Sequence, residues 1–159
     1  MPDFDASSII YAWDNYPERQ FPGLWEWIEV RIKAKDICMS IVAFDEVRIK
    51  APDCANWLTQ HGVEQHHITN VIVQDANRIK GLLGIVGDNY HPKGVDENDL
   101  LIIATARANG VQLISEEHQP LEPNEPRKRK IPAVCRMTGV AHPCTNFIDY
   151  IKAVGAVFR

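Results

Sequence analysis

Apolar residues recur along this chain with two different periods, and the changes of period mark its elements. After Ser7 and Ser8, IIYAW reads as a short helix, and Pro17 and Pro22 then bound a turn. Leu24, Trp25, Ile28 and Ile32 fall at helical spacing in GLWEWIEVRIKAK and predict a longer second helix. ICMSIVAF is β-branched and short, so a buried strand is expected over residues 37–44, with PDF as a brief first strand near the start of the chain. Helices are expected from DEVRIK, from PDCANWLTQHG and from NVIVQDANRIKGLLGIV; in the second of these Pro52 suits a first turn and Gly62 a C-terminal cap. From Asp99 to Asn109 the chain is apolar nearly all round, which predicts a buried helix with Asn98 as N-cap and Gly110 as its end. VQLIS is the strand that follows. A proline-rich loop, QPLEPNEPRKRK, a helix in PAVCRMTG and a last helix in NFIDYIKAVGAV complete the reading.

Strands that alternate with helices imply an α/β fold, with a mostly parallel sheet covered on both faces. Right-handed crossovers then put the carboxyl ends of the strands on one edge, where ligands bind. Asp5 follows PDF, Glu46 lies just after ICMSIVAF, Glu117 ends VQLIS and Asp99 sits in the first turn of the buried helix. If the PDF and VQLIS strands are neighbours, these four acids converge from distant parts of the chain. Their neighbours Asp45, Asp96, Glu97 and Glu116 stay open as alternatives, and Glu116 and Glu117 cannot both point the same way if the strand continues.

Composition bounds what such a sheet could serve. At 159 residues and 45% hydrophobic, the chain suits one domain with a full core. Its apolar runs fall well short of the roughly 20 residues that cross a bilayer, and MPDFDASS lacks the basic-then-apolar order of a secretory signal, so a cytoplasmic protein is expected. Cys38, Cys54, Cys135 and Cys144 form no C-x-x-C pair and read as reduced, structural thiols. A net charge of −4 does not advertise nucleic acid as a partner. The local run Arg127, Lys128, Arg129, Lys130 nevertheless either grips a phosphate backbone or forms solvated loop surface, and Arg107 offers either a further phosphate contact or a surface salt bridge.

Other features carry less chemistry. His61, His66 and His67 in HGVEQHH read as a solvated turn, because adjacent histidines do not face one ion on a regular element. GLLGIVG lacks the Lys-Ser or Lys-Thr ending of a phosphate loop. Trp13, Trp25, Trp27 and Tyr16 are expected in the core, except that one of Trp25 and Trp27 must face outward, where a partner could use it. Four carboxylates in one pocket raise one another's pKa and call for a cation; oxygen ligands with water suit magnesium or manganese, which promote phosphodiester hydrolysis.

Three blocks now carry a resemblance. DFDASSIIYAW with Asp5 and Ser7, AFDEVRIKA with Glu46, and ENDLLIIATARANGVQLISEE with Asp99, Ser115 and Glu117 resemble the PIN domain. The likeness is to the branch of PIN-like proteins found in prokaryotic toxin–antitoxin pairs, related to VapC-type ribonucleases. It covers most of the chain and includes the tail KIPAVCRMTGVAHPCTNFIDYI. Ala6 stands where that family usually has Thr, and Glu117 is one methylene longer than the Asp often found there.

The resemblance implies a three-layer α/β/α PIN-like domain over residues 1–159, with 127–159 as a basic loop and C-terminal helical extension. It further implies a metal-dependent endoribonuclease in which Asp5, Glu46, Asp99 and Glu117 hold magnesium or manganese and carry catalysis. Ser7 and Ser115 would orient ligands, and Arg127, Lys128, Arg129 and Lys130 would meet the RNA. The implied partners are a tRNA or messenger RNA substrate, a cognate antitoxin and a second copy of the chain.

Two rival readings remain. DFDAS fits the D-x-D-x-T/S motif of haloacid dehalogenase-like phosphohydrolases, with Asp3 as nucleophile and Asp5 as acid and base, although that motif needs a hydrophobic strand before Asp3. The other is a PIN-like module that binds RNA or protein without cutting.

Overall fold

Five short strands, all parallel, make the centre of the computed structural model, which describes residues 2–118 and 121–159. They are β1 (Asp3–Phe4), β2 (Cys38–Ser40), β3 (Glu64–His66), β4 (Leu113–Ile114) and β5 (Cys144–Thr145), in the order β3-β2-β1-β4-β5. Gln119 and Pro120, at the start of the expected proline-rich loop, and Met1 lie outside the described residues. The helices are α1 (Ala6–Asn15), α2 (Pro22–Lys33), α3 (Ile41–Lys50), α4 (Pro52–Gln60), α5 (Asn70–Leu82), α6 (Glu97–Asn109), α7 (Ile131–Cys135) and α8 (Phe147–Val154). This is the three-layer α/β/α architecture expected of a PIN-like fold, with helices on both sides of the sheet.

The central strands are buried along their whole length and the outer two are half-buried. That difference explains why EQH and CT, which carry no apolar run, gave no strand signal. β1 and β4 are neighbours: Asp3 pairs with Leu113 and Phe4 with Ile114, and the Asp5 amide donates to the Ile114 carbonyl at 2.8 Å. The residues that end β1 and β4 therefore meet at the carboxyl edge.

Two expectations need correction. ICMSIVAF is not one strand, because the Ser40 hydroxyl accepts from the Ala43 amide at 3.0 Å and starts a helix in mid-run. Ile41 to Phe44 are thus the first turn of α3, and Glu46 sits in its second turn. Nor is Asn98 the cap of α6. Asp96 takes that position, its side chain accepting from the Asp99 amide at 2.8 Å while Asp99 accepts from the Asp96 amide at 3.0 Å.

α6 is the main internal helix, with Leu100, Ile102, Ile103, Ala104, Thr105 and Ala106 all buried. Its end is closed by Gly110 at φ 64°, a left-handed conformation that glycine adopts without strain. On the other side of the sheet, Trp25 is buried edge-on against Trp13 and Trp57. Trp27 is the outward one of the pair, half-covered by Phe158 and by the Arg31 guanidinium over its ring. Tyr16 and Trp13 pack against the core as expected.

Candidate active site

The site is built on the carboxyl end of β1. Asp5 leaves the strand in extended conformation and is 3% exposed, so its carboxylate has lost nearly all contact with water. Two hydroxyls replace that water: Ser7 Oγ donates to Asp5 Oδ2 at 2.5 Å and Ser115 Oγ donates to the same oxygen at 3.1 Å. Both serines are fixed in turn, since Ser7 accepts from the Glu116 amide at 3.0 Å and Ser115 from the Glu117 amide at 3.3 Å. Ser8, also buried, donates to the carbonyls of Asp5 and Ile114 and ties the start of α1 to β4.

Around Asp5, a cleft of about 300 Å³ is lined by Ala6, Ser7, Ile10, Glu46, Lys50, Asp96, Asp99 and Glu117. The four acids singled out in the sequence are thus brought together. Asp96, left open as an alternative, joins them: oxygens of Glu46, Asp96 and Asp99 lie within 4.8 Å of one another. Its signal in the sequence was the D-E-N-D spacing, which suits a cap at the first acid and a reciprocal acceptor at the last.

The remaining neighbours point elsewhere. Asp45 is exposed and pairs with Arg48, Glu97 is exposed, and Glu116 accepts from the Phe147 amide at 2.6 Å at the start of α8. Glu117, by contrast, reaches the cleft while its Oε2 accepts from the Ile131 amide at 2.9 Å.

So many acids in so little water cannot all ionise easily. Burial pushes the Asp99 carboxyl up to about 9, with the nearby charge of Glu117 adding to it. Burial likewise raises Glu46, with Asp5 adding and the Lys50 ammonium, 3.9 Å away, opposing. Glu117 is raised by burial against the Ile131 amide, and Asp5 is raised by burial against its two serine hydroxyls. Lys50 is the one cation lining the cleft among the described residues. An all-oxygen donor set with this surplus of negative charge fits a magnesium or manganese ion, whose charge would favour the ionised forms.

The basic run divides in two. Arg127 pairs with Glu125 and donates to the Asn89 carbonyl at 2.9 Å, while Arg129 pairs with Glu122 and donates to the Ala133 carbonyl. Both guanidinium groups hold their own loop together. Lys128, itself 3.9 Å from Glu125, and Lys130 line, with Lys93, a depression that shares Glu117 with the acidic cleft. This loop is docked on the segment before α6: the Val95 amide donates to the Arg129 carbonyl at 2.9 Å, and a Cβ on Gly94 would stand 1.8 Å from the Arg127 carbonyl oxygen. Arg107 faces away from the cleft, bonded to Asp75 at 2.7 Å and to the Val140 carbonyl, so the salt-bridge reading holds for it.

Asp3 does not line the cleft. Its carboxylate faces Cys38 and His66, which removes the paired-aspartate geometry that a haloacid dehalogenase-like mechanism requires. His66 is correspondingly no part of a solvated turn: it ends β3, its imidazole mostly buried and 3.3 Å from Asp3. His61 is stacked on Trp57.

The parallel sheet in this order, covered by helices on both faces, matches a PIN-like fold. The chain belongs to the family described as a domain of unknown function, DUF4411, which it matches over residues 3–158. No curated protein matches the sequence. Among solved structures, the chain is similar to a chain of VapBC2 from Rickettsia felis, seen bound to a DNA fragment from their promoter. The two share 16% identity with a TM-score of 0.56, over 91% of this chain and 96% of that one. Among the described residues no helix is long and apolar enough to cross a membrane.

Proposed function

We propose that this protein is a metal-dependent endoribonuclease, the toxin of a toxin–antitoxin pair, formed by one PIN-like domain over residues 1–159. The observation that carries the reading is the convergence of Asp5, Glu46, Asp99 and Glu117 on one cleft at the carboxyl edge of the sheet, beside a single lysine. The PIN-like fold supports nuclease chemistry. The VapBC2 assembly that contains the similar chain supports a cognate antitoxin as partner.

Glu46, Asp99, Glu117 and the additional Asp96 would hold magnesium or manganese together with Asp5. When bound, the ion supplies an activated water and stabilises charge on the leaving oxygen of the phosphodiester. Asp5 would position an attacking water in line with the phosphodiester, and Ser7 and Ser115 keep its carboxylate from rotating away. Lys93, Lys128 and Lys130, beside Glu117, attract the phosphates of the incoming strand. Arg127 and Arg129 act in RNA binding by holding the loop that presents Lys128 and Lys130. The substrate is a tRNA or messenger RNA, the working form is a homodimer, and the place of action is the cytoplasm.

The test is incubation of purified protein with total cellular RNA and with single-stranded DNA, in manganese or magnesium and in chelator, alongside Asp99→Asn. Asparagine still accepts at the cap, so the variant keeps α6. Discrete RNA fragments that vanish with chelator and with the variant are expected. Intact RNA throughout, with no divalent ion bound, overturns the reading in favour of a binding module.

A further inference from the structure

A second group of ligand-type side chains lies on the same sheet, apart from the acidic cleft. Asp3 on β1 is paired in register with Cys38 on β2, and Cys38 with Glu64 on β3; two residues on, His66 points to the same face. One carboxylate oxygen of Asp3, the Cys38 sulfur and one ring nitrogen of His66 lie within 4.8 Å of one another. None of the three lines the cleft around Asp5.

Asp3 supplies the independent observation. It is 2% exposed, and neither of its carboxylate oxygens has a hydrogen-bond donor among the described residues. His66 Nε2 stands 3.3 Å from Oδ1, and Oδ2 has no hydrogen-bond donor among the described residues. A buried carboxylate in that condition carries a desolvation cost with little return, and native structures avoid it unless a charge or an ion compensates. An imidazolium at His66 would answer for one oxygen. It would not account for a thiol placed in the same group.

We propose that Asp3, Cys38 and His66 form a transition-metal site, most suited to zinc, that clamps β1, β2 and β3 together. One sulfur, one imidazole nitrogen and one carboxylate make a borderline-soft donor set, unlike the all-oxygen cleft at the other end of β1. Glu64, whose Oε2 is 3.7 Å from the Cys38 sulfur, or a water completes a tetrahedron. Binding releases the thiol proton to solvent and leaves Cys38 as thiolate. The ion enters past His66, whose side chain is 21% exposed. The site's role is structural: β3, reading EQH, is only half-buried and carries no apolar side chain, and an ion bridging it to Asp3 holds this edge strand in register.

Metal-stripped full-length protein titrated with cobalt gives the direct test. A thiolate-to-cobalt charge-transfer band that saturates at one equivalent and is displaced by zinc is expected. Cys38→Ser and His66→Gln should each remove the band, whereas Asp99→Asn should keep it, which separates this site from the acidic cleft and from the nuclease reading. X-ray absorption of the zinc-loaded wild type should show one sulfur among nitrogen and oxygen ligands, a readout that survives even if a variant fails to fold. A cobalt spectrum without sulfur character, or one that Asp99→Asn abolishes and Cys38→Ser spares, overturns the proposal.

Discussion

The two ends of β1 treat an aspartate in opposite ways. Asp5, at the carboxyl end, is met by two serine hydroxyls that are themselves held by backbone amides, and it opens on a cleft with four other candidate ligands. Asp3, two residues earlier and equally buried, has no such donors among the described residues and faces a thiol and an imidazole. The difference teaches that burial alone does not define a working carboxylate. A positioned one is recognised by the groups that restrain it, and an unrestrained one by what it still lacks.

The strongest way to break that comparison is to neutralise the restrained end. Asp5→Asn or Asp99→Asn should lower RNA cleavage by about 10²- to 10⁴-fold while the far-ultraviolet circular dichroism stays unchanged; full activity in both would remove the site. Removing only the restraints should cost less. Ser7→Ala and Ser115→Ala should each reduce cleavage by about 10- to 100-fold, the range typical of groups that orient a metal ligand, and manganese affinity should fall with it. At the other end, Asp3→Asn should leave cleavage far above the Asp5→Asn level. A phosphohydrolase with Asp3 as nucleophile would instead be dead.

The smallest effect is on stability. Asp99, Glu46, Glu117 and Asp5 all have folded pKa values above their ordinary ones, so the metal-free native state binds more protons than the unfolded chain from about pH 4 up to about 9, the value for Asp99. The cleft's contribution is therefore most favourable at the acid end of that window and declines as pH rises through it. Thermal melts of chelated protein at pH 5 and pH 8 should show the lower midpoint at pH 8, with a smaller gap in Asp99→Asn and in saturating manganese. Equal gaps in all three samples would mean that these acids do not titrate as a group.

How much of this was legible in the chain depends on what each residue had to signal. The interior strands and α6 were readable because long apolar stretches have few ways to be buried, and Asp5, Glu46, Asp99 and Glu117 were readable from their places after strands and at helix starts. β3 and β5 were not, since EQH and CT gain their pairing from neighbours rather than from apolar content. The end of β2 was missed because one hydroxyl, Ser40, decides where strand gives way to helix inside a uniformly apolar run. Asp96 looked like a bystander to Asp99 until the reciprocal cap put both in the cleft. In the basic run, Glu125 pairs with its near neighbours Arg127 and Lys128, whereas Arg129 is held by Glu122, a partner no local pattern specifies.

The bond from Ser115 to Asp5 closes a span of 110 residues. At synthesis rates of about 5–20 residues per second, that separation corresponds to roughly 6–20 seconds of translation during which the first aspartate waits for its partner. No amino-terminal fragment that stops before β4 can assemble the cleft, because it carries Asp5, Glu46, Asp96 and Asp99 without the Ser115 hydroxyl and Glu117 carboxylate that complete them. A cleft so divided along the chain forms only after β4 and Glu117 have been made.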